Sequence, residues 1–220
     1  MVVPTGIPGL DKLIKGGLDE GSINLLSGKI GSGKSIFCTQ FLYAGATTHN
    51  EKGLYLTIGD NAKNIRKQAE KFGWNLKDLE DKNMIRITEL EPFDIDSLVD
   101  KITDNIDAIN AKRIVVDSAT MFEVYIQDSF KLRKYLYRIL QRLRDMNKTV
   151  LVTAEVPEDS KGLSRFGVIE LMSDSVIYLE YLGLSKYKRS MIIRKMRCID
   201  HSTDIQPFEI SRQGIVLHEV

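Results

Sequence analysis

Eight consecutive residues, Gly28-Lys29-Ile30-Gly31-Ser32-Gly33-Lys34-Ser35, have the types and spacing that phosphate chemistry needs. They fit G-x-x-x-x-G-K-[ST], a loop whose backbone N–H groups turn inward onto phosphate oxygens. Glycine permits that approach because it carries no Cβ. Lys34 would place an ammonium charge on the β- and γ-phosphates, and Ser35 would offer its hydroxyl to Mg²⁺. A helix opening near Gly33 adds the positive end of its dipole. All eight residues are therefore candidate ligand contacts, and Lys34 is also a candidate catalytic group. The flanks agree with this reading. Ile23-Asn24-Leu25-Leu26 reads as a buried strand, and Ile36 to Tyr43 as a helix.

A second carboxylate completes a metal site. Asp117 closes the run Arg113-Ile114-Val115-Val116-Asp117, a strand whose end would lie beside Ser35 on the carboxyl edge of an open α/β sheet. Ser35 and Asp117 are thus the candidate Mg²⁺ residues. Asn147-Lys148-Thr149-Val150 lacks the final acid of a guanine-reading Asn-Lys-x-Asp, so ATP is preferred over GTP. Hydrolysis further needs a group that orients or deprotonates water. If the strand beside the phosphate loop is the one ending Thr57-Ile58-Gly59-Asp60, the candidate is Asp60. Asp60 or Asn61 equally suits the N-cap of the next helix.

The elements that position these residues alternate. Strands are expected at 23–26, 53–58, 84–88, 113–117 and 149–153. Helices are expected at 36–43, 61–72, 96–109 and 130–146, the last with Phe130, Leu132, Tyr135, Leu136, Ile139, Leu140, Leu143 and Met146 on one broad apolar face. Such alternation implies a mostly parallel central sheet with helices on both faces. Four further strands, at 174–181, 190–196, 207–210 and 214–220, imply an antiparallel C-terminal extension. No linker or repeat interrupts residues 1–220, so one domain is expected. Residues 4–21 are rich in turns and leave room only for a short helix at 10–14.

Composition sets outer limits. The chain has 220 residues, 43% hydrophobic and 28% charged, with a net charge of +1. A global polyanion-binding charge is absent. The two cysteines, Cys38 and Cys198, have no metal-ligand spacing and read as reduced, buried residues. No stretch reaches the roughly 18 apolar residues of a membrane helix, and no signal peptide is visible at the N-terminus. A cytoplasmic protein with no membrane partner is the simplest expectation. The basic run from Lys186 to Arg197, interleaved with Tyr187, keeps a DNA-binding reading open, although a solvated hairpin explains it more simply. The cationic face of the 130–146 helix reads as solvated.

Many motifs in order resemble one family. They are Thr5-Gly6-Ile7-Pro8-Gly9-Leu10-Asp11, Gly16-Gly17-Leu18 with Gly21-Ser22, the phosphate loop, Phe72-Gly73-Trp74, and Asp117-Ser118. Thr153-Ala154-Glu155-Val156-Pro157, the run Gly162 to Val168, Ser173-Asp174, Lys195-Met196-Arg197 and Pro207 to Ile210 with Gly214-Ile215 follow. Through these the chain resembles the KaiC group of RecA-like ATPases in single-domain form. The resemblance implies a RecA-like P-loop fold, Mg·ATP as ligand, and a homo-oligomeric ring, usually hexameric, with nucleotide between subunits. It implies that Lys195, Arg197 and His201 reach into the neighbour's site, and it adds Glu155 to the catalytic candidates. Two departures imply weak hydrolysis. Gly59-Asp60 stands where the family has two consecutive acids, and Cys198-Ile199 where Gly-Thr is common. A glutamate restored at Gly59 is accordingly expected to raise turnover. With one phosphate loop, no clock function carries over. What remains is a slow ATPase or an ATP-dependent platform for an unidentified protein client, with a DNA-binding recombinase relative as the alternative.

Overall fold

The computed structural model of the protein describes residues 1–218 apart from 92–93, 158, 161, 166, 182–187 and 198. Cys198, Lys186, Tyr187 and Phe166, named above, lie outside the described residues, as do residues 219–220 of the last expected strand. The strands are β1 (Val2–Val3), β2 (Leu18–Asp19), β3 (Ile23–Gly28), β4 (Gly53–Thr57), β5 (Ile85–Glu89), β6 (Arg113–Asp117), β7 (Thr149–Glu155), β8 (Ser175–Tyr181), β9 (Arg189–Met196), β10 (Gln206–Ser211) and β11 (Gly214–Leu217). The helices are α1 (Leu10–Leu13), α2 (Lys34–Thr48), α3 (Ala62–Glu70), α4 (Leu76–Asp81), α5 (Ile95–Ile109), α6 (Phe122–Tyr125), α7 (Ser129–Asp145) and α8 (Val168–Met172), with a 3₁₀ turn at Ala119–Met121.

Nine strands form one sheet in the order β11-β10-β9-β8-β3-β7-β6-β4-β5. From β8 to β5 every pairing is parallel; β9, β10 and β11 continue the sheet antiparallel. This is the expected fold class. Side chains alternate across the parallel strands with period two. Leu26, Tyr55, Val115 and Leu151 enter the core layer under α2, α3 and α4. Ile23, Leu25, Leu54, Ile114, Val116, Val150 and Val152 enter the opposite layer, with α5 and α7. The parallel part has six strands, because β8, expected at 174–181 within the antiparallel extension, pairs parallel with β3. Strands buried on both faces read as continuous apolar runs, as β3, β4, β6 and β7 do.

Three further expectations change. The strand beside the phosphate-loop strand β3 is β7, not β4; two strands, β7 and β6, separate β3 from β4. Helix α2 runs to Thr48, well past Tyr43. It is covered on all sides, with Phe37, Cys38, Gln40, Phe41, Leu42, Gly45 and Ala46 all buried, so it has no polar stripe to mark its length. Phe130 is 75% exposed rather than part of the buried face of α7. At 3.6 residues per turn it points about 200° away from Leu132, which heads the buried seam of Leu136, Ile139, Leu140 and Leu143. The short α4, α6 and α8 had no sequence signal long enough to read.

One glutamine ties the chain's two ends to the helix behind the phosphate loop. Gln40 on α2 donates through Nε2 to the carbonyls of Gly6 (3.0 Å) and Ile215 (3.1 Å), and its Oε1 accepts from the Ile215 N–H (2.7 Å). Trp74 fills the same layer, stacked on Phe72 and Tyr43. Replacing Gln40 with Leu leaves three backbone groups without partners. Urea unfolding of Gln40→Leu is expected to show a loss of about 2–4 kcal/mol.

Candidate functional site

The site is built where β3 stops. Its last residue, Gly28, pairs with Glu155 of β7 on one side and Leu179 of β8 on the other. The chain then turns through residues 29–33 and enters α2. Gly33 is the N-cap of α2 with φ 109°, a conformation open to glycine and costly for other residues. The Cβ-free turn therefore places the α2 N-terminus directly behind the loop.

Lys34 is 8% exposed, and its Nζ donates to the carbonyls of Gly28 (2.9 Å) and Lys29 (3.0 Å). Burial pulls its pKa below the ordinary lysine value, while the charges of Glu155 and then Asp117 act to raise it. The ammonium is thus desolvated and held over the loop. The Ser32 hydroxyl in the same loop is buried and makes no hydrogen bond among the described residues. A buried hydroxyl without a partner is costly, and a phosphate oxygen at the loop would satisfy it. The loop fits the phosphates of a nucleotide on that observation.

Asp117, at the end of β6, is half-buried and held by two hydroxyls. Tyr55 donates to its Oδ2 (2.5 Å), and Thr153 donates to its Oδ1 (2.5 Å). The Ser35 side chain lies beside the same Tyr55 phenol and acts to lower its pKa. Burial first, and the Asp117 charge second, push the Tyr55 phenol well above its ordinary pKa, so it stays protonated and remains a donor. A chain of side chains, Ser35–Tyr55–Asp117–Thr153, therefore links the two candidate metal residues. No group of three or more His, Cys, Asp or Glu that could hold a metal ion is present among the described residues. Two oxygens plus phosphates suit Mg²⁺, which binds through few protein ligands.

Glu155 is held by its backbone: its N–H donates to Thr120 Oγ1 (2.8 Å). Lys34, Ser35, Asp117 and Glu155 line one open cavity of about 240 Å³, together with Gly31, Gly33 and Gln68. Arg189, at the start of β9, also lines it. Its guanidinium donates to the Gly31 carbonyl (3.3 Å) and lies over the Tyr181 ring. In the sequence Arg189 is only part of a basic run. Antiparallel pairing opposite Tyr181 carries it to the loop, and that register is not visible before the hairpin is built.

The remaining candidates lie elsewhere. Asp60 is exposed and does not line the cavity; its Oδ1 accepts from the Asn61 N–H and from Asn64 Nδ2, both 2.8 Å. Asn61 is the N-cap of α3. The separation of β4 from β3 by two strands explains this: Asp60 instead sits just before the N-cap of α3. Gly59 has φ +91°, and a Cβ there would lie 2.7 Å from Met121 Cε. A glutamate at 59 would therefore strain the backbone and displace Met121, which undermines the expected gain from restoring it. Lys195, Arg197 and His201 sit at the opposite edge of the sheet. Lys195 pairs with Val176 near the start of β8 and donates to the carbonyls of Glu170 (2.9 Å) and Ser173 (2.6 Å). Arg197 lies 3.5 Å from Asp174, and His201 Nδ1 is 3.3 Å from the Ile199 carbonyl. None of the three approaches its own chain's phosphate loop. Cys38 is buried, and burial followed by the Asp117 charge raises its thiol pKa well above the ordinary value.

The parallel sheet, the loop between strand and helix, and the aspartate on the strand next but one define a RecA-like P-loop nucleotide-binding protein. The chain belongs to the KaiC ATPase family. The family model "ATPase: KaiC" matches residues 3–220. The crystal structure of the KaiC-like protein PH0186 from Pyrococcus horikoshii OT3 superposes with a TM-score of 0.93 at 36% identity, covering 100% of this chain and 99% of that one. UPF0273 protein MJ1359 of Methanocaldococcus jannaschii is 32% identical over 98% of this chain and 96% of its own. The circadian clock oscillator protein KaiC of Prochlorococcus marinus subsp. pastoris is 31% identical over 98% of this chain. The chain spans 44% of the length of that clock protein. Family membership implies nucleotide binding with Mg²⁺. No described helix is long and apolar enough to cross a membrane.

Tyr55→Phe keeps the ring and deletes the link between Ser35 and Asp117. It should lower stability by about 1–3 kcal/mol in urea. It should also move the Mg²⁺ dependence of nucleotide binding to higher metal concentration, with metal-free nucleotide affinity little changed.

Proposed function

We propose that residues 1–220 act as one ATPase domain that binds Mg·ATP and works in a homo-oligomeric, hexameric ring. In this reading it hydrolyses ATP slowly and presents its nucleotide state to a protein client. The observation that carries the reading is the convergence of Lys34, Ser35, Asp117 and Glu155 on the one cavity at the loop Gly28–Ser35. Lys34 binds the β- and γ-phosphates, and the loop N–H groups hold the remaining oxygens. Ser35 and Asp117 hold Mg²⁺, which supplies charge neutralisation on the phosphates. Glu155, beside Lys34 at the end of the neighbouring strand, orients water. Asp60 is the second carboxylate considered for that task, and its place on the α3 cap favours Glu155.

The trans role of Lys195, Arg197 and His201 rests on their position. They occupy the edge of the sheet opposite their own loop, and the loop cavity is open on one side. A neighbour's cations at that opening would neutralise charge developing on the γ-phosphoryl group. Slow turnover rests on the carboxylates at hand: Gly59 supplies none and Asp60 does not line the cavity, which leaves Glu155. The DNA-binding alternative gains little from the hairpin, because Arg189, Lys195 and Arg197 are engaged with Gly31, with two backbone carbonyls and with Asp174 respectively.

ATP turnover measured together with sedimented mass tests the reading. Lys34→Ala should abolish nucleotide binding. Glu155→Gln should lower turnover about 100-fold while leaving ATP affinity nearly unchanged. Arg197→Ala should lower turnover and weaken ATP-promoted assembly. If Arg197→Ala leaves both as in the wild type, the trans arginine is wrong. If Glu155→Gln turns over normally, the water is oriented elsewhere.

A further inference from the structure

The lining of the cavity at the phosphate loop divides into two chemical sets. Lys34, Ser35, Asp117 and Glu155 carry the charges and oxygens that suit phosphates and a metal ion. The second set is Ile36 from the first turn of α2, Gln68 from α3 and Ile210 from β10. Phosphates and metal leave these three without a role. Ile36 and Ile210 are partly buried and pack on the core layer under α2. Gln68 is half-buried, and its side-chain amide makes no hydrogen bond among the described residues.

The place of that amide is set by packing on both sides. Ile65 and Ala69 of α3 are buried in the same core layer as Phe37 and Phe41 of α2. Gln68 follows Ile65 by three residues, so it leaves the helix about 60° from that buried side chain, at the margin of the buried face. The hairpin of β10 and β11 closes on the loop from its own direction: a Cβ at Gly33 would meet Ile210 Cδ1 at 3.2 Å. Three separate elements thus bring one amide and two aliphatic side chains to the cavity that holds Lys34.

We propose that Gln68 reads the edge of the nucleobase and makes the site select adenine, a step that rests on the binding of Mg·ATP proposed above. With the phosphates on the loop and Lys34, the nucleoside lies against the lining that the phosphates leave free. Ile36 and Ile210 suit the apolar faces of a flat ring. A carboxamide presents one acceptor and one donor side by side. The adenine N6 amine donates to that acceptor and N7 accepts from that donor, so both bonds form at once. Guanine presents O6 and N7, two acceptors, so the amide oxygen would face O6 with no hydrogen between them. The absence of an Asn-Lys-x-Asp motif removes a guanine reader from the chain, and Gln68 supplies an adenine reader.

Equilibrium binding to the full chain tests this with four ligands, each in the presence of Mg²⁺: ATP, GTP, 7-deaza-ATP, which lacks the N7 acceptor, and inorganic tripolyphosphate. The wild type should bind ATP about tenfold more tightly than GTP or 7-deaza-ATP. Gln68→Met keeps the length of the side chain and removes the amide. It should bind ATP about tenfold more weakly than the wild type does, and ATP and 7-deaza-ATP equally. Tripolyphosphate affinity should be the same in both proteins, which reports an intact phosphate loop in the variant. Wild-type discrimination retained by Gln68→Met would overturn the adenine reading and leave nucleotide binding standing. Equal weakening of ATP and GTP in the variant would assign Gln68 to the ribose, and a loss of tripolyphosphate affinity would assign it to the phosphates; either overturns the proposal. A wild type that binds ATP no better than Lys34→Ala does would instead remove the nucleotide reading, and the role of Gln68 with it.

Discussion

Strand β3 is hydrogen-bonded on both sides, to β7 and to β8, and the place where it stops governs the whole site. Because Gly28 is in register with Glu155, ending β3 there puts a carboxylate beside the loop without any contribution from loop sequence. Because Gly28 is also in register with Leu179, the β8–β9 hairpin must rise past the loop, and Arg189 arrives at Gly31. A shift of one residue in either pairing would turn every side chain of the strand to the other face. The buried layers on both faces of the sheet forbid that shift, so core packing sets the geometry of the phosphate loop.

Electrostatics then divides the work at the carboxyl edge. Lys34 is charged in a place that burial makes unfavourable, and Glu155 and Asp117 offset that cost. Asp117 is in turn held by two hydroxyls whose orientation depends on the packing of β4 and β7. Tyr55 contributes to both terms. Its ring fills the core layer under α2, and its phenol connects Ser35 to Asp117. The site is therefore stiff on the side of the loop and the metal residues. Among the described residues its cavity stays open on the other side.

The opposite edge of the sheet has a different character. Lys195 is anchored on backbone carbonyls and Arg197 rests near Asp174, so both are held in place on a surface remote from their own loop. The outward face of α7 is a third surface, exposed and rich in cations. A single α/β sheet thus separates three surfaces: the phosphate loop at the carboxyl edge, anchored cations at the amino edge, and a cation-rich face on one covering helix.

Much of this was legible in the residues alone. The phosphate loop, Asp117 and the apolar strands β3, β4, β6 and β7 follow from local pattern, because spacing within a loop and apolar runs within a strand are short-range properties; that β8 runs parallel to β3 does not. The positions of Lys195 and Arg197 were named through resemblance. Their remoteness from their own loop came from the antiparallel register of β9. Strand order cannot be read locally, and this is why Asp60 was placed at the site on the premise that β4 neighbours β3. The sheet instead seats β7 there, brings Glu155 to the cavity and leaves Asp60 on the cap of α3. Tyr55, Thr153 and Arg189 carry no motif of their own; each acts only through a partner distant in sequence. The sequence by itself determined which groups could handle phosphate and metal. The tertiary structure decided which of them meet, because strand order and register are settled by burial on both faces of the sheet rather than by any one stretch of chain.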